Sequence, residues 1–184
     1  LFFSYPSLSD INTNKFIPKI ERGNYRILHA GSISSYNACR ESIMKLFEFC
    51  ESHKSSKVYF TLNQRKVPDY FKDLLELAPS NFIFKGFITK DQLQRLLKKI
   101  NLGLDLRNYH KEKNKFNKCD FPSKIIFYLR NNLFVLSTKS ETIPRDLRDF
   151  LIPIEDLNNL EKINFTEKEM QLKKILSKVN SYSL

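Results

Sequence analysis

Phe121-Pro122-Ser123-Lys124 concentrates more chemistry than any other stretch of this 184-residue chain. Proline suits the first turn of a helix, where its missing N–H costs nothing. The stretch therefore reads as a helix start carrying a hydroxyl and an ammonium. Free backbone N–H groups at such a start already favour an anion. A lysine gains more at the opposite end of a helix. Lys124 thus fits a site whose negative charge arrives with a ligand; the alternative is a lysine turned to water. A second segment, Ala30-Gly31-Ser32-Ile33-Ser34-Ser35, follows an apolar run. Gly31 there lets backbone approach a phosphate, or simply makes a turn. The segment is neither GxGxxG nor GxxxxGKS/T, so it is no dinucleotide fingerprint and no Walker loop. Arg107 closes another apolar run and suits bidentate phosphate contact. Arg65 and Lys66 follow a third such run and can reach the same place.

Charge agrees with an anionic partner. The chain carries 31 Lys+Arg against 20 Asp+Glu, a formal +11. Residues 85–130 hold 12 basic and 4 acidic side chains, while residues 131–184 hold 8 of each. The excess is central, where it marks either a solvated basic loop and helix face or a phosphate-facing site. A nucleotide, a nucleic acid and a membrane surface all remain open on charge alone. His29, His53 and His110 have no neighbours marking them as catalytic bases and read as structural or exposed. Cys39, Cys50 and Cys119 are odd in number and contain no CxxC, which argues against a disulfide framework and a structural zinc site.

These groups need a scaffold, and the apolar pattern supplies one. Short apolar runs fall at residues 26–30, 58–62, 81–84, 102–106 and 133–136, with a sixth at 150–154. Between them apolar residues recur at helical spacing: Ile43, Leu46, Phe47, Cys50; Phe71, Leu74, Leu75, Ala78; Leu93, Leu96, Leu97, Ile100. Thr166 with Glu169 reads as a capping box before a last helix that carries Leu172, Ile175, Leu176 and Val179. Strand–helix alternation with near-continuous apolar strands predicts an α/β fold with a doubly wound, Rossmann-like parallel sheet. Ligands of such sheets sit beyond the carboxyl ends of the strands, here Gly31, Asn63, Gly86, Arg107 and Ser137. Residues 1–23 read as a linker or entry segment, 24–165 as the ligand-binding domain and 166–184 as a C-terminal helix packed on it. No apolar stretch is long enough to cross a membrane and no signal peptide is evident. The first residue is not Met, which fits a piece of a longer chain.

From Tyr25 to about Ser137 the sequence resembles the C-terminal, nucleotide-sugar-binding domain of two-domain (GT-B) glycosyltransferases, group 1 or family 4, of the bacterial surface-polysaccharide type. The residues that carry the likeness are Leu28-His29-Ala30-Gly31-Ser32-Ile33, Phe84-Lys85-Gly86-Phe87-Ile88, and Phe121-Pro122-Ser123-Lys124-Ile125-Ile126-Phe127-Tyr128-Leu129 leading to Leu133-Phe134-Val135-Leu136-Ser137-Thr138. The resemblance implies a donor diphosphate near Gly31, Ser32, Arg65, Lys66, Arg107, Ser123 and Lys124, and a nucleobase beside Phe87 and Ile88. It implies transfer of a sugar, hexosyltransferase-like, to a polysaccharide or lipid-linked acceptor. No cofactor and no metal are expected. The acceptor would be held mostly by an N-terminal domain that this chain is too short to include. The setting implied is cytoplasmic, with peripheral association of the full protein at the inner face of the membrane. Two glutamates that the family commonly carries eight positions apart are Cys119 and Phe127 here, and Asp120 beside the first is the catalytic candidate. The common Arg and Lys after the first strand are Ser32 and Asn37. These departures favour a second reading, a catalytically silent binding domain of the same fold. A basic nucleic-acid-binding α/β module is a third reading, but no RNA-binding or recognition-helix motif supports it, and no nucleic-acid partner is expected.

Overall fold

The computed structural model describes residues 20–31, 40–62, 67, 69–106, 123–137, 143 and 145–181, without the side chains of Ser123, Asp146 and 175–181. Six strands form one sheet in the order β3-β2-β1-β4-β5-β6, and every pairing is parallel. They are β1 (Arg26–Gly31), β2 (Lys57–Leu62), β3 (Phe82–Phe87), β4 (Leu102–Asp105), β5 (Phe134–Ser137) and β6 (Ile152–Pro153). The helices are α1 (Arg40–Ser52), α2 (Asp69–Leu75), α3 (Lys90–Leu97), α4 (Ser123–Arg130), α5 (Arg145–Phe150) and α6 (Phe165–Ser181). This is the expected doubly wound α/β sheet, whose order reverses between β1 and β4.

The central strands read as unbroken apolar runs because both of their faces are covered. Val58, Phe60 and Leu62 of β2, and all four residues of β4 and of β5, are buried. Phe60 sits at the hub of an aromatic cluster, with ring centroids 5.2 Å from Phe71 and 5.6 Å from Phe82. Three polar side chains stitch the amino ends of the strands. Asn81 donates to the Cys50, His53 and Ser56 carbonyls. Ser56 Oγ accepts the Tyr25 N–H at 3.0 Å. Asn101 Oδ1 accepts the Arg26 N–H at 2.9 Å and so ties the start of β1 to the approach of β4.

Details at the element ends depart from the sequence pattern. The capping box lies on α3, where Thr89 Oγ1 accepts the Gln92 N–H and Gln92 Oε1 accepts the Thr89 N–H. On α6 the cap is Asn164, which accepts the Glu167 N–H at 3.2 Å, so the helix starts at Phe165 and Thr166 lies inside it. An asparagine three residues before a glutamate competes with the threonine for the cap, and packing decides: the Phe165 ring lies against Tyr25 and Phe134. Short α5 and a 3-10 segment, Ile154–Lys162, fill a stretch where the pattern showed only one strand.

Where the sheet order reverses, β1 and β4 pair only at Ile27–Leu102 and Leu28–Gly103. Beyond that the strands diverge, and Tyr128 of α4 fills the gap. Its hydroxyl accepts the Ala30 N–H at 2.9 Å and donates to the Leu104 carbonyl at 3.1 Å. Its ring covers Gly103, where a Cβ would run into Cγ of the ring. A Tyr128→Phe variant should lose about 2 kcal/mol in denaturant unfolding, since it strands a part-buried N–H and a buried C=O. Gly103→Ala should cost at least as much by overpacking. A Tyr128→Phe loss below about 0.5 kcal/mol would show that the bridge is idle.

Candidate functional site

The site is the crevice at the carboxyl ends of β1 and β4, next to the amino end of α4. Lys124, in the first turn of α4, extends across the end of β1. A Cβ on Gly31 would meet Lys124 Cε and would lie 2.9 Å from its Nζ, so the lysine occupies the space that the missing side chain leaves. Gly31 also has a positive φ of 152°. Beyond Gly31 the ammonium comes within 3.4 Å of His29 Nε2. His29 is fully buried and stacks on Phe60 with centroids 4.1 Å apart and planes 14° apart. Thr61 Oγ1 donates to the His29 carbonyl at 3.2 Å.

Electrostatics hold this arrangement in one protonation state. Burial, and then the Lys124 ammonium, keep the His29 imidazole well below its ordinary value. A neutral ring with a lone pair on Nε2 can accept from the ammonium; an imidazolium would repel it. The Tyr128 phenol is raised by burial, and the buried Asp105 carboxylate raises it further. It therefore stays a neutral donor to Leu104. Two buried polar residues, Asp105 and Ser137, pair in register where β4 and β5 end. Cys50 is a free buried thiol pushed up to about 12 by desolvation, which makes it a packing residue.

Of the residues the sequence singled out, Gly31 and Lys124 are brought into direct apposition. Ser123 opens α4, so its backbone lies at the crevice. Phe87 ends β3 and is 49% exposed. Ile88 is half-buried and lines a groove along α3. Ser32, Arg65, Lys66, Arg107 and Asp120 lie outside the described residues. Phe127 is half-buried, packs against the core and meets the Tyr128 ring edge-on at 5.4 Å. His29 and Tyr128 do more than the sequence revealed. His29 had one signal, its place two residues before a strand-ending glycine. Tyr128 stood only as one residue of the 121–129 block that carries the resemblance, with no role of its own.

No family model and no curated protein matches this chain. Two solved structures resemble it in fold. One is the crystal structure of accessory secretory protein 1, 2 and 3 in Streptococcus pneumoniae, with a TM-score of 0.55 and 9% identity, covering 86% of this chain and 31% of that one. The other is the crystal structure of TarM, with a TM-score of 0.48 and 14% identity, covering 89% of this chain and 32% of that one. The chain spans about a third of the length of both. The first likeness agrees with the Rossmann-like fold described above. Among the described residues, no helix is long and apolar enough to cross a membrane.

A buried neutral His29 has a signed consequence. The unfolded chain takes up a proton at this histidine below about pH 6.5, and the folded chain resists it. Stability therefore falls as pH drops below about 6.5, down to the depressed folded value, by at most about 1.4 kcal/mol per pH unit from this group. Denaturant melts at pH 7.5 and 5.5 should show a smaller acid loss in His29→Phe than in the parent. Equal losses would place the acid sensitivity elsewhere.

Proposed function

We propose that this chain is the donor-binding half of a GT-B-type glycosyltransferase and holds the diphosphate of a nucleotide sugar at the β1–β4 crevice. The apposition of Lys124 with Gly31, at the start of α4, carries this reading. The ammonium and the start of α4 meet the end of β1 at a glycine, where the strand order of a parallel sheet reverses. That combination suits a diphosphate better than a single phosphate, because two charges can meet the lysine and the helix start separately. His29 accepts from Lys124 and so helps set where the ammonium stands.

In transfer, negative charge builds on the leaving diphosphate as the sugar–phosphate bond breaks. Lys124 and the α4 amide groups stabilise that charge without reorganising, with Ser123, Ser32, Arg65, Lys66 and Arg107 as further contacts on this reading. Phe87 and Ile88 stand on the nucleobase side. Asp120 is the candidate carboxylate. The acceptor, a polysaccharide or lipid-linked glycan, would meet the donor across a cleft with a second domain, at the cytoplasmic face of a membrane. One observation favours the silent alternative. Phe127, which stands where the resembling family commonly has its second glutamate, is packed apolar surface. It offers no polar grip to a ribose.

Calorimetric titration with UDP and GDP tests the reading. Saturable binding of one of them is expected, weakened about tenfold, near 1.4 kcal/mol, by Lys124→Ala. Gly31→Ala should weaken it similarly by displacing the lysine. Absence of binding to both nucleotides by the folded chain would favour the silent domain. Oligonucleotide binding with a steep salt slope and no nucleotide binding would overturn the donor reading in favour of the nucleic-acid module.

A further inference from the structure

A second concave surface lies between α3 and the β2–β3 edge of the sheet, and it shares Ile88 with the proposed nucleobase side of the donor site. It is a groove of about 710 Å³. Its floor is Tyr59, Ile83, Ile88 and Leu96, all half-buried where a sheet face is normally covered. Its banks are Lys85 on β3, and Arg95, Lys98 and Lys99 at the end of α3, all exposed. Among the described residues, no acidic side chain lines it.

Some basic side chains of the surface are ion-paired, while others among the described residues, such as Arg40, Lys45 and Lys90, are as unpaired as these four; what sets the four apart is that they share one apolar groove. Lys72 pairs with Asp69, Lys173 with Glu169 and Arg145 with Asp149. Among the described residues, none of Lys85, Arg95, Lys98 or Lys99 has a carboxylate within 4.0 Å or a side-chain hydrogen bond. The α3 dipole accounts for cations at its C-terminal end, and an edge strand for Lys85. Neither accounts for an apolar floor left open beneath them.

Shape and charge together select the occupant. Ile88 precedes the first turn of α3 and Lys98 and Lys99 follow its last, so the groove runs the length of the helix, about 12 Å. A small anion would reach one or two of the four cations; a segment with repeated carboxylates reaches both banks. A bilayer calls for protruding apolar side chains, and these are recessed. A single-stranded nucleic acid calls for stacking platforms, and among the described residues Tyr59 is the one aromatic ring of the floor. We propose that this groove docks an acidic amphipathic segment of a partner protein. Its apolar side chains would rest on Tyr59, Ile83, Ile88 and Leu96, and its carboxylates would meet Lys85, Arg95, Lys98 and Lys99.

The test uses the full 184-residue chain. The probe is a fluorescent synthetic peptide of about 14 residues, with Leu at helical i, i+3, i+4, i+7 spacing and Glu elsewhere. Controls are its scrambled isomer, phosphatidylglycerol vesicles and a single-stranded oligonucleotide, all near physiological salt. Saturable binding of the amphipathic peptide, at least tenfold tighter than the scrambled isomer, is expected. Lys98→Glu with Lys99→Glu should weaken it at least tenfold; Lys173→Glu with Lys174→Glu on α6 should leave it unchanged. Lys124→Ala should also leave it unchanged, which separates this groove from the donor crevice. Equal binding of the scrambled isomer, or equal loss in the α6 pair, would reduce the effect to general charge attraction and overturn the proposal. So would absence of peptide binding, or binding of vesicles or oligonucleotide through Lys98 and Lys99 in its place.

Discussion

A parallel sheet whose strand order reverses must let neighbouring strands diverge, and this molecule is organised around how the resulting gap is closed. β1 and β4 share only two paired positions. Past them each strand has backbone groups with no rung to complete. One phenolic hydroxyl answers both, accepting from Ala30 and donating to Leu104. The bridge brings α4 so close to the sheet that only a glycine fits beneath the ring, at position 103. It also sets the height of α4, and so where the first turn of that helix meets the strand ends. The crevice and its lysine inherit their geometry from this contact.

Two glycines thus serve the same helix in different ways. Gly103 admits the Tyr128 ring and lets α4 dock; Gly31 admits the Lys124 chain and lets its ammonium cross the strand end. The crossing ends at a histidine that burial keeps neutral, so the lysine has an acceptor there instead of a second positive charge. Stacking on Phe60 makes that histidine belong to the aromatic core. Through His29, the aromatic cluster and the lysine of α4 are joined by direct contacts.

Much of this was legible in the chain. The apolar runs at 26–30, 58–62, 81–84, 102–106 and 133–136 match β1 to β5 to within about three residues at either end, because strands covered on both faces must be apolar throughout. Pro122 marked the start of α4, since proline stops being costly only there. The region after Ser137 was less legible. α5 is six residues long and the next segment is 3-10, too short for a helical period to declare itself. The Asn164 cap was hidden by a threonine two positions on, equally able to cap until Phe165 found its place against Tyr25.

Local patterning determined the type and order of the elements, and with them the parallel sheet and the end of it where a ligand would sit. Each of those follows from side chains within a few residues of one another. What only the tertiary structure decided is which groups meet across the switch: His29 and Lys124 are 95 positions apart, and Ala30 and Tyr128 are 98. A lysine reads alike in sequence whether it points to water or across a glycine. Its neighbours are chosen by the docking of α4 on β1 and β4, and that docking is a property of the packed whole.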